Sequence, residues 1–303
     1  MAGVLDPVLR LIGEESAVLP SPAVAAVAEA ARQRHGAGIV AVLFYGSCLR
    51  EQDDQGKLVD LYLLADRYRN VHRSRWMQLL NRVLPPNVYY IETAFEDRVI
   101  RAKYAIVKLS QFEKLVSRRT FEPYFWARFA QPTGVLWARS EAVRRRIVAA
   151  LVDAAQTTIR EIRPLLADRV DAEQLWVRAF QETYATELRA ERPGRATALF
   201  RTFGQRYREI TDALLRQEPA AVSETTRRRV SWRWRRRRVA GKLLSALRLL
   251  KAALTFEDGA SYLVWKIQRH SGVTLELSPW QQRHPILASG TLFWRAYRAG
   301  GFR

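Results

Sequence analysis

The chain has 303 residues, of which 48% are hydrophobic and 26% are charged, so it is long enough for two ordinary domains and is not compositionally disordered. Lys and Arg number 50 against 30 Asp and Glu, and the formal net charge of +20 predicts an anionic partner such as nucleic acid, acidic lipid or a phosphorylated substrate. The single cysteine, Cys48, excludes an intrachain disulfide, and the four scattered histidines offer no zinc site. No apolar run approaches the roughly 18 residues that a membrane-spanning helix needs, so we expect any contact with lipid to be peripheral.

The first 139 residues predict a short helical segment followed by an α/β domain. Residues 1–35 form the helical segment, and its Ala-rich stretch at 22–35 begins with a proline, which the first turn of a helix tolerates well. Four apolar runs rich in β-branched and aromatic residues predict buried strands, at residues 39–45, 58–65, 88–92 and 100–109. A helix is expected at 76–83, and a short apolar strand follows Pro132. This alternation predicts an α/β domain over 36–139.

The rest of the chain predicts a helical domain and then a basic, amphipathic region. Helical periodicity covers 140–226, with helices expected at 142–170, 171–189 and 196–215. The region 227–303 opens with a block of eight arginines at 227–238, which contains Trp232 and Trp234 and no acid. A Leu-rich amphipathic helix is expected next, with Leu243, Leu247, Leu250 and Leu254 on one side, and a further helix at 259–270.

The end of the first predicted strand carries the first chemical signal, Phe44-Tyr45-Gly46-Ser47, and Asp60 stands thirteen residues after Ser47 in the second strand. Backbone N–H groups at the start of a helix attract phosphate, and a glycine lets the backbone approach it closely. A serine hydroxyl can bond a phosphate, and a carboxylate on the next strand can hold Mg²⁺ against a triphosphate. The arrangement resembles the opening of polymerase-β-type nucleotidyltransferases, which implies an α/β fold with that domain built on a mixed sheet. The alternative is a buried βαβ turn in which Asp60 caps a neighbouring element.

The second metal-binding acid of that superfamily is missing from its usual place. Two acids normally stand two residues apart on the second strand, but the second position here is Tyr62, and a phenol with a pKa of about 10 stays protonated at neutral pH. Asp66 lies on the same face, roughly 20 Å away if the strand runs straight. Glu92, at the end of the third strand, is the other candidate. We therefore expect Mg²⁺ to be held by Asp60 together with Asp66 or Glu92.

Lys103 and Arg128 are candidate phosphate ligands. Lys103 lies in an alternating apolar strand, where a buried ammonium group is costly unless phosphate or a carboxylate pairs with it. Arg128 follows an aromatic cluster, and a guanidinium can clamp phosphate through two N–H groups. The alternatives are a solvated sheet edge for the lysine and a helix surface for the arginine. His72 is either a phosphate ligand or an ordinary loop histidine, and Cys48 is expected to be a packing residue.

Over residues 44–137 the chain resembles the mitochondrial-type phosphatidate cytidylyltransferases, the peripheral CDP-diacylglycerol synthases with bacterial relatives. Six features match the family's motifs in order: Phe44-Tyr45-Gly46-Ser47, Asp60 with Asp66, His72, Val88-Tyr89-Tyr90, Lys103-Tyr104, and Arg128 with Pro132. The chain departs from the family at Val71, Ile91 and Ala105, where the family has Trp, Asn and Gly, and the loop between Asp66 and Val88 is shorter. Residues 140–226 carry no resemblance to it.

The resemblance implies a transfer of CMP from CTP to phosphatidate, which gives CDP-diacylglycerol and pyrophosphate and requires Mg²⁺. It implies catalytic roles for Asp60, Asp66 and Lys103, and nucleotide binding by Tyr45, Gly46 and Ser47. It implies phosphate or lipid binding by Arg128, His72 and Tyr104, and metal ligation by Asp60, Asp66 and Glu92. The implied location is cytoplasmic, on the inner face of the membrane.

The Arg-rich block at 227–238 suits two kinds of anionic partner. Trp favours the membrane interface and Arg pairs with lipid phosphate, while Arg interleaved with aromatic rings also suits single-stranded nucleic acid. The adjoining Leu stripe favours an anionic membrane surface, since nucleic acid does not need an apolar face. A solvated helix face for the block and core packing for the leucines are the alternatives. Two other functions stay open: a nucleotidyltransferase acting on RNA or a soluble small molecule, and a non-catalytic membrane-binding protein that retains the fold.

Overall fold

A five-stranded mixed sheet in the order β3-β4-β2-β1-β5 forms the centre of the molecule. Its strands are β1 (Ile39–Tyr45), β2 (Leu58–Ala65), β3 (Asn87–Phe95), β4 (Arg98–Lys108) and β5 (Gly134–Ala138).

The computed structural model describes residues 2–166, 170–188, 194–215 and 222–255. The predicted α/β class is confirmed, and all the predicted strands are present. β3 and β4 run further than predicted because their outer ends pair with each other as a hairpin, from Phe95 opposite Arg98 inward.

The register of the strands places four side chains from the sequence motifs in one row across the sheet. β1 pairs with β2 antiparallel, with Tyr45 opposite Asp60. β2 pairs with β4 in parallel, with Asp60 opposite Lys103, and β4 pairs with β3 antiparallel, with Lys103 opposite Tyr90. Residues opposite each other in neighbouring strands share a face of the sheet. The row therefore brings residues that are far apart in sequence to one face, near the end of β1.

Helices cover both faces of the sheet. They are α1 (Ala2–Ser16), α2 (Pro22–His35), α3 (Ser47–Glu51), α4 (Arg75–Val83), α5 (Leu109–Val116), α6 (Trp126–Phe129), α7 (Glu141–Ile162), α8 (Ala172–Tyr184), α9 (Arg195–Thr202), α10 (Gly204–Leu215) and α11 (Glu224–Thr255). Ser21 caps α2, where its hydroxyl accepts a hydrogen bond from Val24 N at 3.2 Å, and Pro22 occupies the first turn. The predicted 171–189 helix begins at the Asp171 cap and ends at Tyr184.

Two hydrophobic clusters lie on opposite faces of the sheet. Alternation along β2 sends Tyr62 and Leu64 to the face covered by α5 and α7, and Leu61 and Leu63 to the face covered by α2. The first cluster continues without a break from the sheet into α7, α8 and α10. The predicted 36–139 domain and the predicted 140–226 domain therefore share one hydrophobic core.

The Arg-rich block and the Leu-rich helix belong to one continuous helix, α11, and part of the block points inward. Trp234 is buried against Trp126, with ring centroids 6.0 Å apart, and its indole N–H donates to the backbone oxygen of Glu161 at 3.0 Å. Arg237 is only 3% exposed and donates to the Glu161 carboxylate at 2.6 Å, and Arg233 pairs with the same carboxylate. These contacts fix which side of α11 faces the protein.

The prediction that the whole block faces lipid is therefore wrong, because four of its eight arginines bond residues outside α11: Arg227, Arg233, Arg237 and Arg238. The exposed members are Arg228, Arg229, Arg235 and Arg236, together with Trp232. Three leucines of the predicted stripe are exposed, Leu243, Leu247 and Leu250. The side chain of Leu254 and the predicted 259–270 helix lie outside the described residues. Across the described ranges, no helix has the length and apolar character to cross a membrane.

Candidate functional site

A cavity of about 270 Å³ lies between one end of the sheet and the helical domain over 140–226. Its walls come from three parts of the chain. These are the sheet and the turn after β1 (Tyr45, Gly46, Ser47, Arg50, Asp60 and Lys103), the α6 region (Pro123, Tyr124, Ala127, Arg128, Gln131 and Pro132), and the end of α8 with the residues after it (Thr183, Tyr184, Glu187 and Arg195). The cavity thus contains most of the residues that the sequence singled out, together with a wall that the sequence did not indicate.

The turn at Gly46 is built around Asp60. Gly46 has a φ of +89°, a conformation that favours glycine, and it ends β1 where Ser47 begins the short helix α3. A Cβ atom at position 46 would lie 2.6 Å from Oδ2 of Asp60, closer than any real contact of this kind. The missing side chain therefore lets the carboxylate sit directly against the turn. The predicted association of Gly46, Ser47 and Asp60 is present in the structure.

Lys103 stands next to Asp60 across the β2–β4 pairing and lines the same cavity. It is half-buried, while its sequence neighbours Ala102 and Tyr104 are fully buried on the other face of the sheet. A cation opposite a carboxylate across a strand pair is a favourable arrangement. The lysine is therefore on the cavity side rather than at a solvated sheet edge.

Arg128 is held in the cavity wall by tyrosines and one acid. Its Nη1 donates to the hydroxyls of Tyr124 at 2.9 Å and of Tyr62 at 3.2 Å, and its Nη2 lies 3.8 Å from the Glu187 carboxylate. The guanidinium also lies over the Tyr124 ring, 4.3 Å from its centroid, and 5.7 Å from that of Tyr45. Arg128 is thus fixed in place at the cavity, and the alternative of an ordinary helix-surface arginine is wrong.

The electrostatics of this wall favour anions. Among the described residues, four cations line the cavity, Arg50, Lys103, Arg128 and Arg195, against two acids, Asp60 and Glu187. Burial opposes ionisation of Tyr124, yet the charges of Arg128, Arg248 and Lys103 hold its pKa below the usual phenol value. Tyr62 differs, because burial raises its pKa far above that value, so this side chain stays a neutral phenol. The tyrosine at the position of the second acid therefore provides no anionic metal ligand.

Asp66 does not reach the cavity. Asp66 directly follows the last residue of β2, whereas Asp60 lies near the beginning of that strand. The backbone N–H of Asp66 donates to Gly38 O at 3.0 Å. Its carboxylate accepts hydrogen bonds from the Arg67 backbone N–H at 2.5 Å and from the Asn70 amide at 3.0 Å. Six residues of extended strand keep it roughly 20 Å from Asp60. The expected sharing of one metal ion by Asp60 and Asp66 is wrong, because the strand runs straight.

Glu92 shares the sheet face of the cavity but is engaged elsewhere. It lies opposite Arg101, two residues along β3 from Tyr90, which belongs to the row that contains Asp60 and Lys103. Its Oε1 accepts hydrogen bonds from the Tyr90 hydroxyl at 2.7 Å and from Arg101 Nε at 3.0 Å. Glu92 is absent from the cavity lining, so the expectation that it approaches Asp60 is not met.

His72 and Tyr104 lie on the opposite face of the sheet, within the core beside α2 and α4. The His72 ring is buried between polar partners, with Nδ1 3.1 Å from the Tyr89 hydroxyl and Nε2 2.9 Å from the Asn81 amide. The hydroxyl of Tyr104 lies 2.9 Å from His35 Nε2. Burial lowers the pKa of His72 to about 4, so the ring is neutral at pH 7 and does not present a cation to phosphate. The expected phosphate or lipid contacts of these two residues are therefore wrong.

The sequence did not indicate four charged or aromatic residues of the cavity wall, and two of them come from the helical domain over 140–226. Glu187 and Arg195 stand beyond the end of α8 and at the start of α9, and they carry no local motif in a chain with so many arginines. Arg50 lies within α3, one turn after Ser47, and Tyr124 belongs to the aromatic cluster that precedes Arg128. The last two were detectable as neighbours of predicted site residues, whereas the first two depend on the packing of α8 against the sheet domain.

The donor set of the cavity fits Mg²⁺ only when the ion is also bound by substrate phosphates. Magnesium in nucleotide sites is typically held by one or two carboxylates plus phosphate oxygens and water. Asp60 supplies one carboxylate against the turn at Gly46, and the other acid in the described part of the lining, Glu187, is already paired with Arg128. Among the described residues, no group of three or more acid, His or Cys side chains forms a metal cluster of its own.

Comparisons with known proteins add no family assignment. A scan against models of protein families finds no match to this chain, and a search of curated proteins finds no significant match. The assignment of a function therefore depends on the cavity and on the motif resemblance over residues 44–137.

Proposed function

We propose that the protein is a nucleotidyltransferase that transfers CMP from CTP to phosphatidate at a membrane surface, with Mg²⁺ as cofactor. The observation that carries the proposal is the convergence of Asp60, the open turn at Gly46 and two cations, Lys103 and Arg128, in one cavity. A carboxylate for a metal ion, a backbone turn without a side chain and fixed positive charge are what a triphosphate site requires. The choice of CTP and phosphatidate rests on the motif resemblance.

The reaction needs positioning and charge neutralisation more than proton transfer. A phosphate oxygen of phosphatidate attacks the α-phosphorus of CTP and forms a new P–O bond. The bond between the α-phosphorus and the oxygen that bridges to the β-phosphate breaks, and its electron pair leaves with pyrophosphate. The attacking phosphate is already ionised, so no strong general base is required. Fixed cations stabilise the charge that builds up on the transferring and leaving groups.

Each cavity residue has a role in this scheme. Gly46 and Ser47 would take the triphosphate against the turn, and Asp60 would hold Mg²⁺, which neutralises phosphate charge when it is bound. Lys103 and Arg128 would orient the phosphates of nucleotide and acceptor. Tyr45 closes the sheet side of the cavity, and burial raises the pKa of its hydroxyl, with the Asp60 charge adding to the effect, so it contributes as a neutral group.

The direct test offers CTP, ATP, GTP and UTP separately with Mg²⁺ and phosphatidate vesicles, and measures nucleotide-lipid product and pyrophosphate. We expect product with CTP and much less with the other three nucleotides. A parallel set replaces the vesicles with single-stranded RNA or with soluble phosphate esters, which tests the alternative acceptors. Product on RNA or on a soluble ester, with none on phosphatidate, would reject the lipid acceptor while keeping the reaction class.

Asp60→Asn tests the site in the same assay. We expect turnover to fall by at least about a hundredfold with the fold unchanged, because loss of a metal ligand removes several kcal/mol of transition-state stabilisation. Asp66→Asn is the matched control, since Asp66 lies at the other end of β2, and it should keep activity within about threefold of the unmodified protein. Equal activity of Asp60→Asn and the unmodified protein would remove Asp60 from the mechanism.

One observation favours a second candidate, a non-catalytic protein that binds nucleotide or another polyanion in the same cavity. The position of the second superfamily acid is the buried, neutral Tyr62, and neither Asp66 nor Glu92 lines the cavity. Equilibrium binding of CTP by calorimetry separates the two candidates. Binding that depends on Arg128, with no product from any nucleotide and acceptor pair, would establish the second candidate in place of the enzyme.

A further inference from the structure

The helix α4 presents an apolar face to solvent. Trp76 is 71% exposed, Leu79 48% and Val83 73%, and their spacing of three and four residues places them on one side of the helix. The other side is fixed to the protein by Asn81, which is fully buried and donates to Ile106 O at 3.0 Å. The outward direction of the three apolar side chains is therefore set by a buried hydrogen bond.

Arginines frame this face. Residues 67–91 contain five arginines and no acid, and Arg73, Arg75 and Arg82 are exposed beside the apolar residues of α4. A short helix with Trp, Leu and Val on one side and Arg along its borders matches the composition of helices that lie in a membrane interface. Arginine can bury its methylene groups there and keep its charge at the level of the phosphates.

The C-terminal end of α4 adjoins α11. Arg248 donates to Pro85 O at 2.9 Å, and Lys251 donates to Pro86 O at 2.6 Å, in the segment directly after Val83. The exposed leucines of α11 flank these two anchors, with Leu247 and Leu250 on the same stretch of helix. The apolar faces of α4 and α11 thus belong to neighbouring elements that are joined by hydrogen bonds.

Charge complementarity selects among the possible occupants of this surface. A second copy of the chain would bring the arginines of α4 and α11 against the same arginines, which is repulsive. Residues 256–303 carry six Lys and Arg against three Asp and Glu, so this segment is also positive. An anionic lipid surface is the occupant that supplies both an apolar layer and negative charge.

We propose that the outward face of α4, together with the adjoining exposed stripe of α11, docks on an anionic bilayer, with Trp76, Leu79 and Val83 entering the boundary between headgroups and acyl chains. The surface goes beyond the C-terminal region that the sequence predicted, because α4 lies within the sheet domain. It rests on the proposed function only in taking phosphatidate as the natural anionic lipid. Docking through α4 would hold the sheet domain itself at the lipid surface.

The test uses the full-length protein and vesicles of phosphatidylcholine with phosphatidylglycerol, an anionic lipid that is not the proposed substrate, without nucleotide. The variant Trp76→Ser/Leu79→Ser/Val83→Ser should bind these vesicles at least about tenfold more weakly in flotation, because three exposed apolar groups no longer enter the interface. The matched control is Leu19→Ser/Val99→Ser/Leu188→Ser, three exposed apolar residues outside α4 and α11, and it should bind like the unmodified protein.

A second readout locates the tryptophan directly. Brominated acyl chains should quench the fluorescence of the unmodified protein more than that of Trp76→Phe, because Trp76 contributes quenching only if it enters the acyl region. Unchanged flotation of the triple variant, or equal quenching of the two proteins, would overturn the proposal. A dimer of the unmodified protein that the triple variant converts to a monomer would also overturn it, because a second copy would then be the occupant. Shielding of Trp76 fluorescence from aqueous acrylamide in the absence of vesicles, without a dimer, would identify residues 256–303 as the occupant and overturn it likewise. Because neither CTP nor phosphatidate is present, failure here is distinct from failure of the proposed reaction.

Discussion

The turn at Gly46 leaves room for Asp60 only because residue 46 has no side chain. The carboxylate oxygen lies 2.6 Å from the position that a Cβ atom would take, and the strand register then sets Lys103 beside Asp60. The strand that supplies this lysine also supplies Tyr104, which points to the opposite face and meets His35. At the scale of single residues, the chemistry of the site thus depends on one missing methyl group and on the alternation of a strand.

Gly46→Ala tests the close approach. The added Cβ must displace the Asp60 carboxylate, and a positive φ is costly for alanine by about 1 kcal/mol or more. We expect nucleotidyl transfer to fall by about a hundredfold, since a displacement of about 1 Å at a reacting centre has effects of that size. Gly56→Ala is the matched control: its φ is also positive, at +60°, but no atom lies within 4 Å of the new methyl group. Equal losses of activity in the two variants would show that only backbone strain matters.

The lowered pKa of the buried His72 predicts that the stability of the fold, rather than catalysis, depends on pH. Burial lowers its pKa from 6.5 to about 4 in the folded protein, so between these values the unfolded chain binds a proton that the folded chain does not. The stabilising contribution is fully present above about pH 6.5 and is lost as the pH falls toward 4, by roughly 3 kcal/mol in total. Urea unfolding at pH 7.5, 5.5 and 4.5 should show a smaller decline for His72→Gln than for the unmodified protein. Parallel declines for the two proteins would contradict the assignment.

At the scale of elements, α11 is attached to the body of the protein by buried charge. Glu161 on α7 accepts hydrogen bonds from Arg233 and Arg237, and the guanidinium of Arg237 lies 4.8 Å from the centroid of the buried Trp234 ring. Further along, Arg248 pairs with both oxygens of Glu122 and lies over the Tyr124 ring at 4.1 Å. The long basic helix thus contacts the same loop that forms a wall of the cavity.

Glu161→Gln should detach the inward side of α11. Removing the carboxylate leaves the buried guanidinium of Arg237 without its counter-ion, which typically costs about 3–5 kcal/mol. We expect a lower free energy of unfolding and faster proteolysis within α11. The control is Glu224→Gln, whose partner Arg228 is 80% exposed, and loss of such a surface pair should change stability by less than about 1 kcal/mol. If both variants are equally stable, the buried cluster does not hold α11 in place.

At the scale of the whole molecule, the basic residues behind the net charge of +20 have different structural roles. Some arginines bond buried acids, others line the cavity, and a third group remains at the surface of α11. Because one hydrophobic core runs from the sheet through α7, α8 and α10, these tasks are performed by one connected body. The cavity, with walls from both predicted domains, exists only in this assembled form.

The surface arginines of α11 predict salt-sensitive vesicle binding. Replacing Arg228, Arg229, Arg235 and Arg236 by Ser should weaken binding to anionic vesicles by as much as about 1 kcal/mol per residue, and the difference should shrink as salt rises. Sedimentation with vesicles at 50 and 300 mM salt measures both effects, and CTP binding should be unaffected. Arg118, Arg119, Arg145 and Arg201, also exposed, provide a control variant of equal charge. Tighter binding to single-stranded RNA than to vesicles, lost in the same variant, would instead indicate a nucleic-acid partner.

The sequence by itself was sufficient to predict the features that depend on residues close together in the chain. Continuous apolar runs indicated β1 and β2 at their observed bounds, because buried strands of a mixed sheet need apolar residues on both faces. The glycine and serine at the end of β1 marked the turn, and Asp60 followed on the paired strand. Alternation also excludes Tyr104 from the face of Lys103, since adjacent strand residues point in opposite directions. That inference was available from the sequence but conflicted with the motif resemblance.

Tertiary structure alone decided which distant residues meet. One wall of the cavity includes Glu187 and Arg195. Their position depends on how α8 packs against the sheet domain, and no pattern in the sequence predicts that packing. The straight course of β2 separates Asp66 from Asp60, and only the strand register reveals it. Likewise, the sequence determined that α11 is basic, but burial of Trp234 decided which of its arginines face the protein and which face solvent. Local patterns record what a segment buries, whereas the partner that it is buried against is a property of the whole chain.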